Sequence, residues 1–201
     1  MTISVVLGNG ISRKQLTAKL LNGKNTYACN YAYKDFDPKN LIVCDRHLLI
    51  TALSEGANKK AKVWTRHRWY NNINSQENLY FFPNLPFEID HKYDRDMNWG
   101  SGTYAAYLAC LDEPNVLVLV GFDLWANNNK VNNIYAGQNG YGPADASPVD
   151  PSAWIYQFKK LFAHFNHKQF VFLNTAGWQL PKEWNSYKNV FFDDIREFKK
   201  L

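Results

Sequence analysis

The sequence predicts an α/β fold with a mostly parallel central sheet and helices on both faces. Three observations lead there. Short apolar runs alternate along the chain with helical patterns. The run Val116-Leu117-Val118-Leu119-Val120 is apolar without a break, as in a strand covered on both faces. The first run, Ile3-Ser4-Val5-Val6-Leu7, ends in Gly8-Asn9-Gly10 and Ser12. That is the pattern of a buried strand that stops at a tight turn and opens a helix. Phosphate groups bind at such turns, because backbone N–H groups gather there at the carboxyl edge of the sheet. The turn therefore points to a nucleotide or phosphorylated ligand. A purely structural turn fits the same residues, and a full dinucleotide fingerprint would need Gly where Arg13 stands.

The strands expected from these patterns are Ile3–Leu7, Thr26–Tyr31, Leu41–Cys44, Lys62–Thr65, Val116–Val120 and Phe170–Leu173, with Tyr80-Phe81-Phe82 as one short addition. The expected helices are Arg13–Leu21, Arg46–Ser54, Thr103–Leu111 and Ser152–Phe165. In the last, Trp154, Ile155, Phe158, Leu161, Phe162 and Phe165 recur at helical spacing and read as core, with Asp150 as cap and Pro151 in the first turn. Two stretches lack periodicity: the polar, proline-punctuated 71–96 and the Asn-, Gly- and Pro-rich 125–149. Loops of that length are usually functional, often lids. No internal repeat is visible. The chain, 1–201, reads as a single domain with 125–149 as a lid-like loop.

A domain of 201 residues can bury roughly 70% of its unfolded surface. Aromatics make up 16%, enough either to fill a core with large rings or to line a cleft for sugar or base stacking. The net charge of +5 is dispersed. Its densest segment runs from Lys59-Lys60-Ala61-Lys62 to Arg66-His67-Arg68-Trp69 and reads as a solvated edge. No recognition helix, zinc spacing or ribonucleoprotein-type motif is present, so no nucleic acid is expected as partner. Cys29, Cys44 and Cys110 sit in apolar contexts and read as reduced core thiols of a cytoplasmic protein. No export signal and no membrane span is expected.

Four segments fall at strand ends: Gly8-Asn9-Gly10, Cys29-Asn30-Tyr31, Cys44-Asp45-Arg46 and Val120-Gly121-Phe122-Asp123. In a parallel sheet these ends share one edge, so Asn9, Asn30, Asp45 and Asp123 should converge on one crevice. Asn offers a donor and an acceptor, which suits base edges and sugar hydroxyls; the plainer reading is that each caps a neighbouring helix. Trp99-Gly100-Ser101-Gly102-Thr103-Tyr104 opens a helix with small residues that let a ligand approach its first amides. Ser101 could bond a ligand oxygen or simply cap.

These motifs occur in an order that resembles the small bacterial lipooligosaccharide sialyltransferase family, and more distantly the motility-accessory and archaeal hydroxymethylpterin pyrophosphokinase-like proteins. The motifs are Gly8-Asn9-Gly10 with Ser12, Cys29-Asn30-x-Ala-Tyr33, Gly100-Ser101-Gly102-Thr103-Tyr104 and Leu119-Val120-Gly121-Phe122-Asp123-Leu124-Trp125. Each is short, and together they span most of residues 1–165. The resemblance implies a single Rossmann-like domain with a small lid, transferring sialic acid from CMP-sialic acid with no metal and no cofactor. It implies that Asn9, Asn30, Ser101 and Gly102 face the cytidine monophosphate, with Gly8 and Gly10 in the turn that cradles it. Asp45 falls where the family has an Asn near the donor sugar. Trp125 and Tyr135 (or Tyr141) fall where the family sets two tyrosines against the donor phosphate. The acceptor would be a glycan or a lipid-linked hydroxyl. Relatives often form tetramers, which leaves a homo-oligomer open.

The departures from the pattern are specific. The family's general-base histidine is missing, and counting back from the late helix puts Asp145 in its place. An Arg before the Ser-Gly motif is replaced by Asn98, and Trp125 has no phenol. A carboxylate is a weaker base than His unless desolvated. The chain therefore reads as a glycosyltransferase-like binder of a CMP-type nucleotide sugar. The alternatives are an inactive nucleotide-binding or interaction protein of the same fold, or a pterin pyrophosphokinase-like enzyme. Asp94-Arg95-Asp96 matches a metal-holding Asp-x-Asp but reads as a solvated loop. His164 and His167 read as a surface pair, and Asp193-Asp194 as a turn.

Overall fold

The computed structural model describes residues 2–73, 76–126 and 128–200. Its architecture is α/β and Rossmann-like: one sheet of eight strands, every described pairing parallel, in the order β5-β4-β3-β2-β1-β6-β7-β8. The strands are β1 (Ile3–Leu7), β2 (Asn25–Cys29), β3 (Asn40–Val43), β4 (Lys62–Thr65), β5 (Leu79–Phe81), β6 (Val116–Val120), β7 (Gln169–Asn174) and β8 (Val190–Asp194). The chain builds outward from β1 to one edge, returns to the middle at β6 and builds to the other. The strand order therefore reverses between β1 and β6, the place where open α/β sheets bind ligands.

Strand alternation sorts the side chains onto two faces. Val6, Ile42, Leu117 and Leu119 lie under α4 (Ser101–Leu111) and α5 (Ser152–His164) in an aromatic-rich core. Val5, Leu7, Val118 and Val120 lie on the other face, with Leu21 of α1 (Ala18–Leu21) and Phe198. Leu41, Val43 and Val63 continue that second face beneath α2 (Arg46–Ser54) and beside the short α3 (His67–Tyr70). Burial on both sides explains the unbroken apolar run of β6 and the run of β1, which only Ser4, itself buried, interrupts. The N-cap position of α5 is held by Pro151 rather than by Asp150, which stands one residue earlier and accepts from the Ser152 amide at 2.9 Å.

Three expectations are corrected. The helix expected over Arg13–Leu21 is a 3₁₀ turn, Ile11–Gln15, followed by the single turn of α1. Arg13 is buried with its guanidinium folded back onto the Gly8 carbonyl at 2.8 Å, and Leu16 turns extended to reach the core. Asp193-Asp194 closes β8, an edge strand with one neighbour, rather than forming a turn. Asp94 is buried, not solvated: it accepts from the Asp90 and His91 amides at 3.0 and 2.7 Å and from the Tyr156 hydroxyl. Its other oxygen faces Lys160 at 3.4 Å.

The centre of the fold is held by backbone contact. Gly8 and Gly10 donate to the carbonyls of Val120 and Gly121, each at 2.8 Å. A Cβ on Gly8 would stand 2.4 Å from the Gly121 oxygen, and one on Gly121 would stand 2.8 Å from the Gly8 oxygen. Gly8→Ala should therefore cost about 1–3 kcal/mol of stability, read as a lower denaturation midpoint. Gly142→Ala, with its nearest neighbour 4.0 Å away, should stay within about 0.5 kcal/mol.

The hydrogen bonds around Asp94, together with Lys160, overcome the opposing effect of burial and hold its carboxyl below the ordinary 3.8. Its contribution is thus full above that ordinary value and is lost as pH falls through the lower folded one. In acid titrations followed by circular dichroism, Asp94→Asn should be less stable near neutrality and lose less stability than the native chain below about pH 4.

Candidate functional site

The carboxyl ends of β1, β2, β3 and β6 and the first turns of α4 and α5 enclose a cleft of about 260 Å³. Gly8, Asn9, Gly10, Asn30, Asp45, Ser101, Gly102 and Asp123 all line it. The convergence expected from four separated strand ends and one helix start is what the sheet produces.

The local geometry assigns these residues different work. The start of the 3₁₀ turn that follows Gly10 is closed to a phosphate. Its first amides already have partners: Ser12 N–H donates to Asp123 Oδ2 at 2.9 Å and Ile11 N–H to Asn132 Oδ1 at 2.8 Å. Asp123, itself buried, also accepts from the Ser12 hydroxyl and from Asn174 Nδ2 at 3.1 Å. A carboxylate of the chain thus stands where an anion would sit at the helix start. Gly10 is glycine because a Cβ there would lie 2.4 Å from the Asp123 carboxyl carbon. Asn9 is engaged at both ends, accepting from Arg13 at 3.0 Å and donating to the Tyr141 hydroxyl at 3.1 Å.

The start of α4 is different. The N–H groups of Ser101, Gly102 and Thr103 have no hydrogen-bond partner among the described residues, and no side chain caps the helix. These are the orphan donors of a first turn, at the positive end of the helix dipole. Their position is fixed from three sides. Ser101 Oγ accepts from the Cys44 amide and donates to Asn30 Oδ1, both at 3.0 Å. Gln157 of α5 accepts from Thr103 Oγ1 at 2.8 Å and donates to the Asn98 carbonyl at 2.8 Å. Arg66, buried, donates to the carbonyls of Cys44, Asp96 and Trp99. The Ser101 hydroxyl proton is therefore committed to the frame, and the helix amides are the free donors.

Asp45 stands at the start of α2, exposed, with no side-chain bond to the helix it precedes. It is the cleft's unengaged carboxylate among the described residues, since Asp123 is tied to Ser12 and Asn174. Cys29 also lines the cleft, and burial pushes its thiol well up; burial likewise pushes Cys44 up to about 12, against the lowering effect of Arg66. Both are inert as nucleophiles near neutral pH.

Three expected site residues lie outside the cleft. Trp125 is exposed, its indole reaching the Gln179 carbonyl at 3.4 Å. The Tyr135 hydroxyl sits between Arg13 at 2.6 Å and Asp35 at 2.5 Å, buried behind the Gly8–Gly10 turn, and burial pushes the pKa of its hydroxyl well up. It anchors the lid-like loop rather than facing a ligand. Asp145 is exposed and is not among the residues that line the cleft. The loop itself is docked: Ile134 N–H donates to the Asn9 carbonyl at 2.9 Å and Tyr31 to the Asn139 carbonyl at 2.8 Å. It contributes Asn132 and Asn133 to the cleft wall.

Trp154 lines the cleft although its helical spacing reads as core. It lies in the first turn of α5, and Gly100 leaves it room: a Cβ there would be 2.9 Å from the indole nitrogen. Helical periodicity identifies a face but not which end of the helix reaches the sheet edge. In comparisons with protein-family models, curated proteins and solved structures, no match to this chain was found.

If Asp123 holds the 3₁₀ turn, Asp123→Ala should cost about 1.5–3 kcal/mol, the range for hydrogen bonds to a charged group. Denaturant titration measures it, and hydrogen exchange at Ser12 should accelerate in parallel.

Proposed function

We propose that the chain is a glycosyltransferase-type protein that binds a nucleotide sugar in the cleft between β1 and β6. The observation that carries this reading is the set of free amides at Ser101–Thr103, held on a rigid frame beside Asn30 and the unengaged Asp45. A donor phosphate on those amides would gain the helix dipole and displace no protein hydrogen bond. The cleft is smaller than the roughly 300–1,000 Å³ of sites that engulf a drug-sized ligand. It fits one end of a nucleotide sugar, with the remainder crossing the rim towards Asn132, Asn133 and Trp154.

The resemblance to the lipooligosaccharide sialyltransferases favours a CMP-type donor and a glycan or lipid-linked acceptor. In such a transfer the acceptor hydroxyl oxygen bonds to the anomeric carbon as the bond to the CMP oxygen breaks. The departing phosphate keeps the electron pair, and the acceptor proton needs a base. The α4 amides would stabilise the charge growing on the leaving phosphate. Asp45, rather than Asp145, is the carboxylate beside that position to take the proton.

A second reading, a nucleotide-binding protein without transfer, is favoured by the exposed position of Asp145 and the absence of a phenol at Trp125. Calorimetric titration with CMP, CDP and UDP, run beside a donor-hydrolysis and transfer assay, separates the two. The first reading expects CMP compounds to bind and Asp45→Asn to keep binding while losing about 10²–10⁴ in turnover. Binding with no turnover in the native chain selects the second. No binding of any of the three removes both.

A further inference from the structure

A larger concavity, about 710 Å³, opens at the opposite end of the sheet, at the amino ends of β2, β3 and β4. Strand alternation turns Asn25 and Tyr27, Asn40, and Lys62 and Trp64 to the face that carries α4. The last turn of that helix, with Leu108, Leu111 and Asp112, forms the facing wall.

The groove has two chemically distinct sides. The loops entering β3 and β4 bring Lys39, Lys59, Lys60 and Lys62 to it, all exposed. Only Lys60 has an ion pair among the described residues, with exposed Asp37 at 3.1 Å. The other side is apolar: Leu111 is 42% exposed and Phe81 45%. Asp112, the groove's one carboxylate among the described residues, is occupied by the Tyr27 hydroxyl and by Asn25 Nδ2 at 3.3 Å. Between the two sides lies Asn40, only 8% exposed. Its carbonyl accepts from the Trp64 indole at 3.0 Å, while its amide nitrogen bonds nothing among the described residues and is not sealed from solvent. A nearly buried amide with donors open to a groove is built to meet an acceptor.

We propose that this groove docks an extended acidic peptide segment of a partner protein. Its carboxylates lie along the lysines, its apolar side chains lie against Leu111 and Phe81, and a backbone carbonyl takes the Asn40 amide. Charge complementarity selects the acidic partner. The concave shape fits a chain better than a lipid surface. Aliphatic Leu108 and Leu111, and a Trp64 ring already stacked on Tyr80 at 5.0 Å, fit peptide side chains better than nucleic-acid bases. The groove lies at the other end of the strands from the cleft, so the proposal stands or falls independently of the nucleotide-sugar reading.

The test is fluorescence anisotropy of the full chain with a labelled peptide of alternating Glu with Leu and Phe, about 15 residues long, at about 50 and about 300 mM salt. Saturable binding is expected that weakens with salt. The variant Lys39→Gln/Lys59→Gln/Lys62→Gln should bind roughly tenfold more weakly, with its thermal midpoint and its CMP titration unchanged. Leu111→Ser should also weaken the peptide, and a plain polyglutamate should bind roughly tenfold less well than the mixed peptide. No saturable binding, equal affinity in the triple-lysine variant, or equal affinity for polyglutamate would overturn the proposal. Tighter binding of single-stranded oligothymidylate, or of phosphatidylserine vesicles, through the same lysines would also overturn it.

Discussion

The contact on which the rest of the structure depends is backbone against backbone, where the turn after β1 meets the turn after β6. Two glycines are needed because each chain lies where the other's Cβ would be. That approach sets Asp123 over the first 3₁₀ turn, joins it to Asn174 at the end of β7, and fixes the floor of the cleft. The reversal of strand order opens a crevice at this point, and the glycines determine how tightly its floor is closed. A larger residue at either position would move the strand ends that carry Asn9 and Asp123.

The same contact explains a division of labour. One helix start, after β1, is satisfied internally by Asp123 and Asn132; the other, at α4, is left open and braced by Ser101, Gln157 and Arg66. Bracing donors without satisfying them preserves a positive end that can act on an anion at no cost in reorganisation. Asp45 brings a carboxylate to the same rim, and the docked 128–149 loop adds Asn132 and Asn133 to the cleft wall.

Much of this was legible in the residues. Apolar runs marked β1 and β6 as central strands, and small or polar residues directly after them marked the carboxyl edge, so the meeting of Asn9, Asn30, Asp45 and Asp123 followed from topology alone. Their partners were not legible. Nothing local to Gly8-Asn9-Gly10 says that a carboxylate more than a hundred positions later takes the Ser12 amide and hydroxyl, and nothing in Arg13 says that it folds back onto Gly8 and Asp35. Tyr135 has the residue type of a phosphate ligand but is buried by that same arginine. β8 escaped because an edge strand ending in two aspartates shows little of the apolar pattern of a central one. Trp154 escaped because a helical wheel carries no information along the helix axis.

The central claim is that the open amides of α4 are where an anionic ligand binds. Backbone amide chemical shifts of the native chain, followed during titration with CMP, test it most directly. The account predicts saturable shifts at Ser101, Gly102 and Thr103, with smaller ones at Asn30 and Asp45 and little change at Ile11 and Ser12, whose amides are already bonded. Shifts that begin at Ile11 and Ser12 while Ser101–Thr103 stay fixed, or no saturable shift in the cleft, would contradict it.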